Sequence, residues 1–325
     1  MSKENTNIVN EYKNEDECPH EPGTEEYWQE SWAFFVWDTI QEVYVFLRLS
    51  QVPNKDGGQS TVWLNAWTPE YTFHHSNDAL PFGERTKTSL TSGQNLCRYE
   101  YDGNHNWQVN HSEVSMNLVM KDKHAGMDFW TKNDDTMASN IAREHTESNG
   151  PVTGTVTVKG KSYEINGTGW RDHSWSHRDW NIFRVHRGFM AIFEDMSIYS
   201  FSLVNSAGEL VRNAVINREG QPPEGISDYE ITAYMSEDGV SNKGGTLAIT
   251  IDGERQLIEF EPVGKASVSM IYHFPCVDTP CKVRMGDKVG VGFSETSHRT
   301  QGGTERPRIF PSTHGIIDNG LHKRY

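Results

Sequence analysis

The chain has 325 residues, with 30 Lys plus Arg against 45 Asp plus Glu and a formal net charge of -15. Such a surface field repels phosphate, which excludes nucleic acids and anionic membrane surfaces as default partners. Hydrophobic residues reach only 35%, yet 10 Trp, 12 Tyr and 14 Phe supply the large rings that disordered chains lack. No apolar run approaches the roughly 18 residues of a membrane helix, so no integral membrane association is expected.

Residues 1–30 hold two Lys against nine acids, and residues 1–24 read as a disordered acidic arm. The arm has no apolar h-region, which makes a cytoplasmic location the expectation. Cys18, Cys97, Cys276 and Cys281 have neither the paired spacing of a zinc site nor the density of a secreted scaffold. Reduced thiols are expected.

Beyond the arm, apolar residues recur with period two. Val43–Ser50 and Ser60–Trp67 flank the turn-rich Pro53-Asn54-Lys55-Asp56-Gly57-Gly58, and Val114–Val119 alternates. Gly154–Lys159 and Lys161–Ile165 meet at Gly160 as a tight hairpin. The second half repeats the habit from Gly188 to Glu295, with connections such as Asp238-Gly239 and Asp252-Gly253. Strands about 10 to 12 residues apart with hairpin turns build antiparallel sandwiches or barrels. The fold expected is all-β: one barrel over residues 25–165, a second over 166–300, and a basic tail over 301–325. No Gly-rich strand-to-helix loop is present, so no nucleotide cofactor is expected.

Composition changes most at the junction. Gly167–Arg187 packs Trp170, Trp175, Trp180, His173, His177, His186, Arg171, Arg178, Arg184, Arg187, Asp172 and Asp179 into 21 residues. Buried Asp and Arg each need a partner, and a buried indole N–H needs an acceptor. One reading is a charged, aromatic plug between two barrels. The other is a polar catalytic floor under an aromatic pocket, in which Asp172 and His173 act as acid and base. His173 and His177 have the spacing of a helical zinc pair, but the surrounding period-two pattern argues against that helix, and no metal is expected.

Other titratable groups give weaker signals. Trp37-Asp38 could bring a carboxylate into the pocket. His74, His75 and Asp78 read as loop surface. His105, His111, His124 and His145 have no recognisable partner in the sequence, and His273 and His314 read as structural.

The string Gly167-x-Gly-x-Arg171-Asp172-His173-Ser174-Trp175-x-x-Arg178-Asp179-Trp180 resembles the signature of a lipocalin-like tandem-domain family. That family includes the carotenoid 1,2-hydratases (hydroxyneurosporene synthases), kievitone hydratase and AttH-type proteins. Val289-Gly-Val-Gly-Phe-Ser-Glu295 is similar to its glycine-rich closing strand, and Trp32–Leu49 to its opening strands. The resemblance implies two lipocalin-like barrels with a pocket near their interface. It also implies activity on isoprenoid or polyketide skeletons, by alkene hydration or by cofactor-free cyclisation of the Diels–Alderase type. The His-x-Trp element of the hydratases falls on His173 and Trp175. Tyr199 takes the place of the Tyr in their Tyr-x-Asp pair, but Phe201 stands where the Asp is expected, leaving Glu194 or Asp195 as substitutes.

These residues set out an expected site. Asp172, His173, Asp179 and Tyr199 are its catalytic groups, with Trp170, Trp175, Arg178, Trp180, Glu194, Trp37 and Asp38 contacting substrate. Its ligand is a small hydrophobic molecule, and its chemistry is acid–base addition or removal of water at an alkene. Isomerisation or cyclisation, a hydrophobic-ligand carrier and an interaction module are the alternatives. A homodimer is left open.

Overall fold

The period-two patterning becomes strand in the computed structural model, which describes residues 12–55, 57–123, 126–129, 142–237, 241–271, 274–299, 316–317 and 320–323. The first set of strands is β1 (Trp28–Asp38), β2 (Val43–Val52), β3 (Gln59–Trp67), β4 (Tyr71–Arg85), β5 (Ser89–Ser92), β6 (Cys97–Tyr101), β7 (His105–Asn110), β8 (Val114–Met120), β9 (Met127–Asp128), β10 (Glu144–Val158) and β11 (Lys161–His177). The second is β12 (Phe183–Ile192), β13 (Met196–Asn205), β14 (Leu210–Arg218), β15 (Glu224–Gly225), β16 (Tyr229–Met235), β17 (Asn242–Ile251), β18 (Glu254–Pro262), β19 (Ala266–Ile271), β20 (Phe274–Met285) and β21 (Lys288–His298), followed by β22 (Ile316–Ile317) and β23 (Gly320–Lys323).

The protein is all-β, as expected. In the first set β11 pairs with both β1 and β10, closing an antiparallel barrel of 10 strands. The second set forms a sheet in the order β15-β14-β13-β12-β21-β20-β18-β17-β16. It curls until side chains join its far strands: Tyr229 donates its hydroxyl to Phe201 O at 2.6 Å, and Arg212 donates to Tyr229 O. Among the described residues no helix is long and apolar enough to cross a membrane.

Side-chain alternation explains why β1, β2 and β3 are buried along nearly their whole length. Trp32, Phe34 and Val36 of β1, with Val45 and Leu47 of β2, fill the first barrel. The intervening Phe35, Trp37, Tyr44 and Phe46 join Met190, Phe201, Phe274 and Phe293 of the second sheet in a separate layer. Each such ring contributes about 1.5–3 kcal/mol on burial, so the barrels share a core instead of merely touching. Two indoles fix their relative position, Trp37 donating to Gly292 O at 2.8 Å and Trp67 to Lys265 O at 2.9 Å. Close approach also explains the glycines of β21. A Cβ on Gly290 would lie 2.2 Å from Ile192 O, and one on Gly292 2.4 Å from Met190 O.

The expected hairpin at Gly160 is present, with Lys159 and Gly160 both at positive φ and Val158 paired to Lys161. Three expectations are revised. The boundary at residue 165 falls inside β11, which stays in the first barrel to His177 because both edges of the strand are paired. From Tyr12 onward the acidic arm is ordered: Glu17 is buried, accepts from Arg171, and its carbonyl accepts from Tyr99 Oη at 3.0 Å. Of the basic tail, β22 pairs with β19 of the second sheet and β23 with β4 of the first barrel, a strap across both units. Residues 1–11 of the arm, residues 301–315 of the tail, and His124, His273 and His314 lie outside the described residues.

Candidate active site between the two barrels

A cavity of about 120 Å³, open to solvent at its mouth, lies in the shared layer. The first barrel contributes Ala33, Phe46, Arg48, Trp63, His145, Glu147 and Asp172. The second sheet contributes His186, Gly188, Met190, Tyr199, Phe201, Phe274, Phe293 and Glu295. Arg178 and Trp180, from the segment joining the two, close one side.

β10 and β11 build the polar wall. His145 and Glu147 alternate onto the same face of β10, and Glu147 is in register with Asp172 of β11. His145 Nε2 lies 2.6 Å from Asp172 Oδ2 and 3.2 Å from Glu147 Oε1. Trp170 donates its indole N–H to the other oxygen of Glu147. One imidazole thus bridges two carboxyl groups with opposite tendencies. Burial alone disfavours the charge on Asp172, but His145, Arg178 and Arg48 outweigh it and hold that carboxyl well below its usual range. Burial and the negative Asp172 push Glu147 upward instead. Burial works against a charged His145, yet the two carboxylates raise it to about 9. Two acids driven apart in this way are the usual sign of an acid–base pair.

The facing wall has a parallel arrangement. His186 Nδ1 lies 2.8 Å from Glu295 Oε1, which also accepts from Ser297 Oγ at 2.9 Å. Burial opposes ionisation of Glu295 and His186 more than offsets it. Next to Glu295 in register stands Asp278, fully buried, with neither oxygen hydrogen-bonded by any described residue; burial and Glu295 push it well up. Tyr199 faces the cavity with no hydrogen bond to its hydroxyl from any described residue, and burial raises its pKa. Room for that hydroxyl comes from Gly188, where a Cβ would lie 3.4 Å from it and 3.1 Å from His186.

Among the described residues, two trios bring possible metal ligands within reach of one another: His145, Glu147 and Asp172, and His20, Glu30 and His173. In each, positive charge is already provided by protein groups. Arg48 and Arg178 act on Asp172, and Arg85 pairs directly with Glu30.

A family model described as a domain of unknown function, DUF7064, matches residues 13–300. The chain belongs to that family. No curated protein matches the sequence. Three solved structures are similar to the DUF7064 chain, each at 11% identity. An AttH-type protein from Nitrosomonas europaea has a TM-score of 0.66 over 86% of this chain and 95% of that one. CghA with Sch210972 gives 0.61 over 86% and 90%. Kievitone hydratase from Nectria haematococca gives 0.56 over 92% and 96%. At that identity the likeness shows the tandem lipocalin-like fold.

In the DUF7064 chain the residues singled out by the sequence divide. Asp172, Tyr199, Arg178 and Trp180 line the cavity. His173 does not: it lies one residue from Asp172 on the opposite face of β11, where Nε2 is 3.0 Å from Glu30 and the ring stacks on Trp32 at 4.2 Å. Burial lowers the pKa of this imidazole, and Glu30 and Glu17 work against that shift. Trp175 faces the same way and stacks on His20 at 4.0 Å. Trp170 stands behind the cavity as the anchor of Glu147. Asp179 caps the short turn Trp180–Ile182 by accepting from Asn181 N. Glu194 is exposed in the β12–β13 turn. Trp37 is the bridge to Gly292, and Asp38 accepts from the amides of Ile40, Gln41 and Asn166. Asp172, expected to be the acid, is held well below the usual carboxyl range by the cations around it.

Sequence reasoning missed Arg48 and Glu147, dismissed His145, and named His186 only as one of the junction's histidines. Their signal was present but faint. Arg48 interrupts the aromatic row Tyr44, Phe46 on one face of VYVFLRLS, and His145 and Glu147 sit two apart on a strand. His74 is another correction: it is buried in β4 against Asn65 and not on a surface loop. His105, also read as lacking a partner, lies 3.0 Å from Asp122 and 2.9 Å from Tyr99 Oη.

Proposed function

We propose that the protein is an enzyme that adds water to, or removes it from, an alkene of a largely apolar substrate of isoprenoid or polyketide type, bound between the barrels. The observation that carries this reading is the single imidazole nitrogen of His145 shared by Asp172 and Glu147. In the hydration direction Glu147 gives its proton to one alkene carbon. The cation formed lies against Phe46 and Phe293, whose rings stabilise positive charge by about 1–2 kcal/mol each when dry. Water attacks that cation and loses a proton to Asp172. His145 then returns the proton from Asp172 to Glu147, because Nε2 touches both, and the enzyme is restored with one water added. Kievitone hydratase, similar in fold, supports this choice of reaction.

Isomerisation or cyclisation is the second reading, favoured by the unpartnered Tyr199 hydroxyl, which can polarise a substrate oxygen. The resemblance to CghA in fold is compatible with it. Incubation of isoprenoid and polyketide alkenes in deuterated water, read by mass spectrometry, separates the two. A gain of one water marks hydration, and deuterium at unchanged composition marks isomerisation. Glu147→Gln is expected to slow turnover by about 10²–10⁴ while the melting temperature stays within a few degrees. Turnover unchanged in that variant overturns Glu147 as the acid, and tight binding with no conversion by the wild type overturns the enzyme reading and leaves a carrier.

A further inference from the structure

Arg48 differs from every other charged group in the cavity. It stands mid-strand in β2, opposite Ala33 on β1 and Trp63 on β3, and is 5% exposed. Its guanidinium lies over the Trp63 ring at 4.5 Å and the Trp180 ring at 5.1 Å. No hydrogen bond or ion pair reaches it from any described residue, and Nε and Nη2 are buried without a partner. The carboxylates that hold their charge are already engaged, Asp172 with His145 and Glu295 with His186 and Ser297.

A guanidinium keeps its charge and offers five N–H donors in a planar fork. Buried without an acceptor it is strongly unfavourable, and two ring contacts only partly compensate. A lone Arg on an aromatic strand face is consistent with a group whose partner arrives from outside. Small Ala33 leaves space beside it on the strand toward the acid–base wall.

We propose that Arg48 is the receptor for a carboxylate on the substrate. The fork takes the two carboxylate oxygens, and the apolar body runs along Trp63, Phe46 and Phe293. This rests on the cavity being the substrate site and narrows the substrate to an unsaturated apolar acid. Uncharged hydrocarbons and simple alcohols of the same length then bind more weakly.

The test uses the full chain with 6-phenylhexanoate and 6-phenylhexanamide, matched in shape, by calorimetry and by tryptophan fluorescence, since Trp63 and Trp180 flank Arg48. Wild type is expected to bind the carboxylate at least tenfold more tightly. Arg48→Gln abolishes that preference with little change for the amide, and Arg48→Lys retains part of it because charge remains while the fork is lost. Equal affinity of the wild type for both probes overturns the assignment, as does binding of neither or a preference that survives in Arg48→Gln. Should Arg48→Gln not fold, the wild-type comparison and Arg48→Lys still decide. A carboxylate preference with unimpaired turnover in Glu147→Gln removes the acid–base reading and keeps Arg48 as receptor. Equal probe binding with slowed Glu147→Gln does the reverse.

Discussion

The two faces of β11 carry the same kinds of side chain toward different ends. Inward, Arg171 and His173 enter a network inside the first barrel where charges meet charges. Arg171 bonds Glu17 and Thr146, Arg85 bonds Glu30, His20 and His173 bond Glu30, and His105 bonds Asp122. Outward, Asp172 faces a cavity where, among the described residues, Arg48 has no ion pair or hydrogen bond and the Tyr199 hydroxyl no hydrogen bond. Ion pairs in the inward network tie the N-terminal arm to the barrel, although Glu17 Oε2, Arg171 Nε and His173 Nδ1 stay without a hydrogen bond among the described residues. Charge density by itself did not separate structure from chemistry here, whereas the partner of each charge did.

The sharpest way to break this comparison is to remove Glu30, the hub of the inward network. Burial opposes its charge, but His173, His20 and Arg85 hold it down to about 2. Glu30→Ala leaves Arg85 without that buried partner and is expected to cost about 3–5 kcal/mol of stability, read by denaturant unfolding. A loss below about 1 kcal/mol sinks the structural assignment of that face.

Next in size is a pH effect from the outward face. His145 is raised from its ordinary 6.5 to about 9, so the native state holds a proton there that the unfolded chain releases. Its contribution is complete below pH 6.5 and disappears as pH rises through 9, about 3 kcal/mol in all. The upward shift of Glu147 acts with the same sign. Unfolding midpoints between pH 6 and pH 10 should therefore fall with pH in the wild type and much less in His145→Gln. Parallel curves for the two proteins refute the assignment.

The smallest effect concerns Asp179, read in the sequence as catalytic and found at the cap of a turn. Asp179→Ala should lower stability by about 1 kcal/mol and leave turnover within twofold. A hundredfold loss of activity at unchanged stability would restore its catalytic role.

Much of the fold was legible because antiparallel strands write their period directly into the sequence, as Val43–Ser50 shows. The site was legible only in part. Asp172, Arg178 and Trp180 stand in a conspicuous motif, but alternation sends His173 and Trp175 to the other side, and which face of β11 meets the second sheet depends on long-range pairing with β1. His145 and Glu147 gain their meaning from register with Asp172, which no local pattern in β10 reveals. The ordered arm was missed because its acidic composition resembles solvated chain, while the partner that buries Glu17 is Arg171, 154 residues away.

Barrel closure through β1 and β11 also sets an order of events. Glu30 and His173 are 143 residues apart in the chain, so a ribosome must finish β11 before the first barrel can seal, and loop-closure entropy makes such pairing slow. Until β12–β21 follow, the aromatic rows of β1–β3 remain open to solvent and to other nascent chains. Chaperone demand should thus be concentrated in the interval between completion of β3 and arrival of β21, with the cavity between the barrels the last part of the molecule to appear.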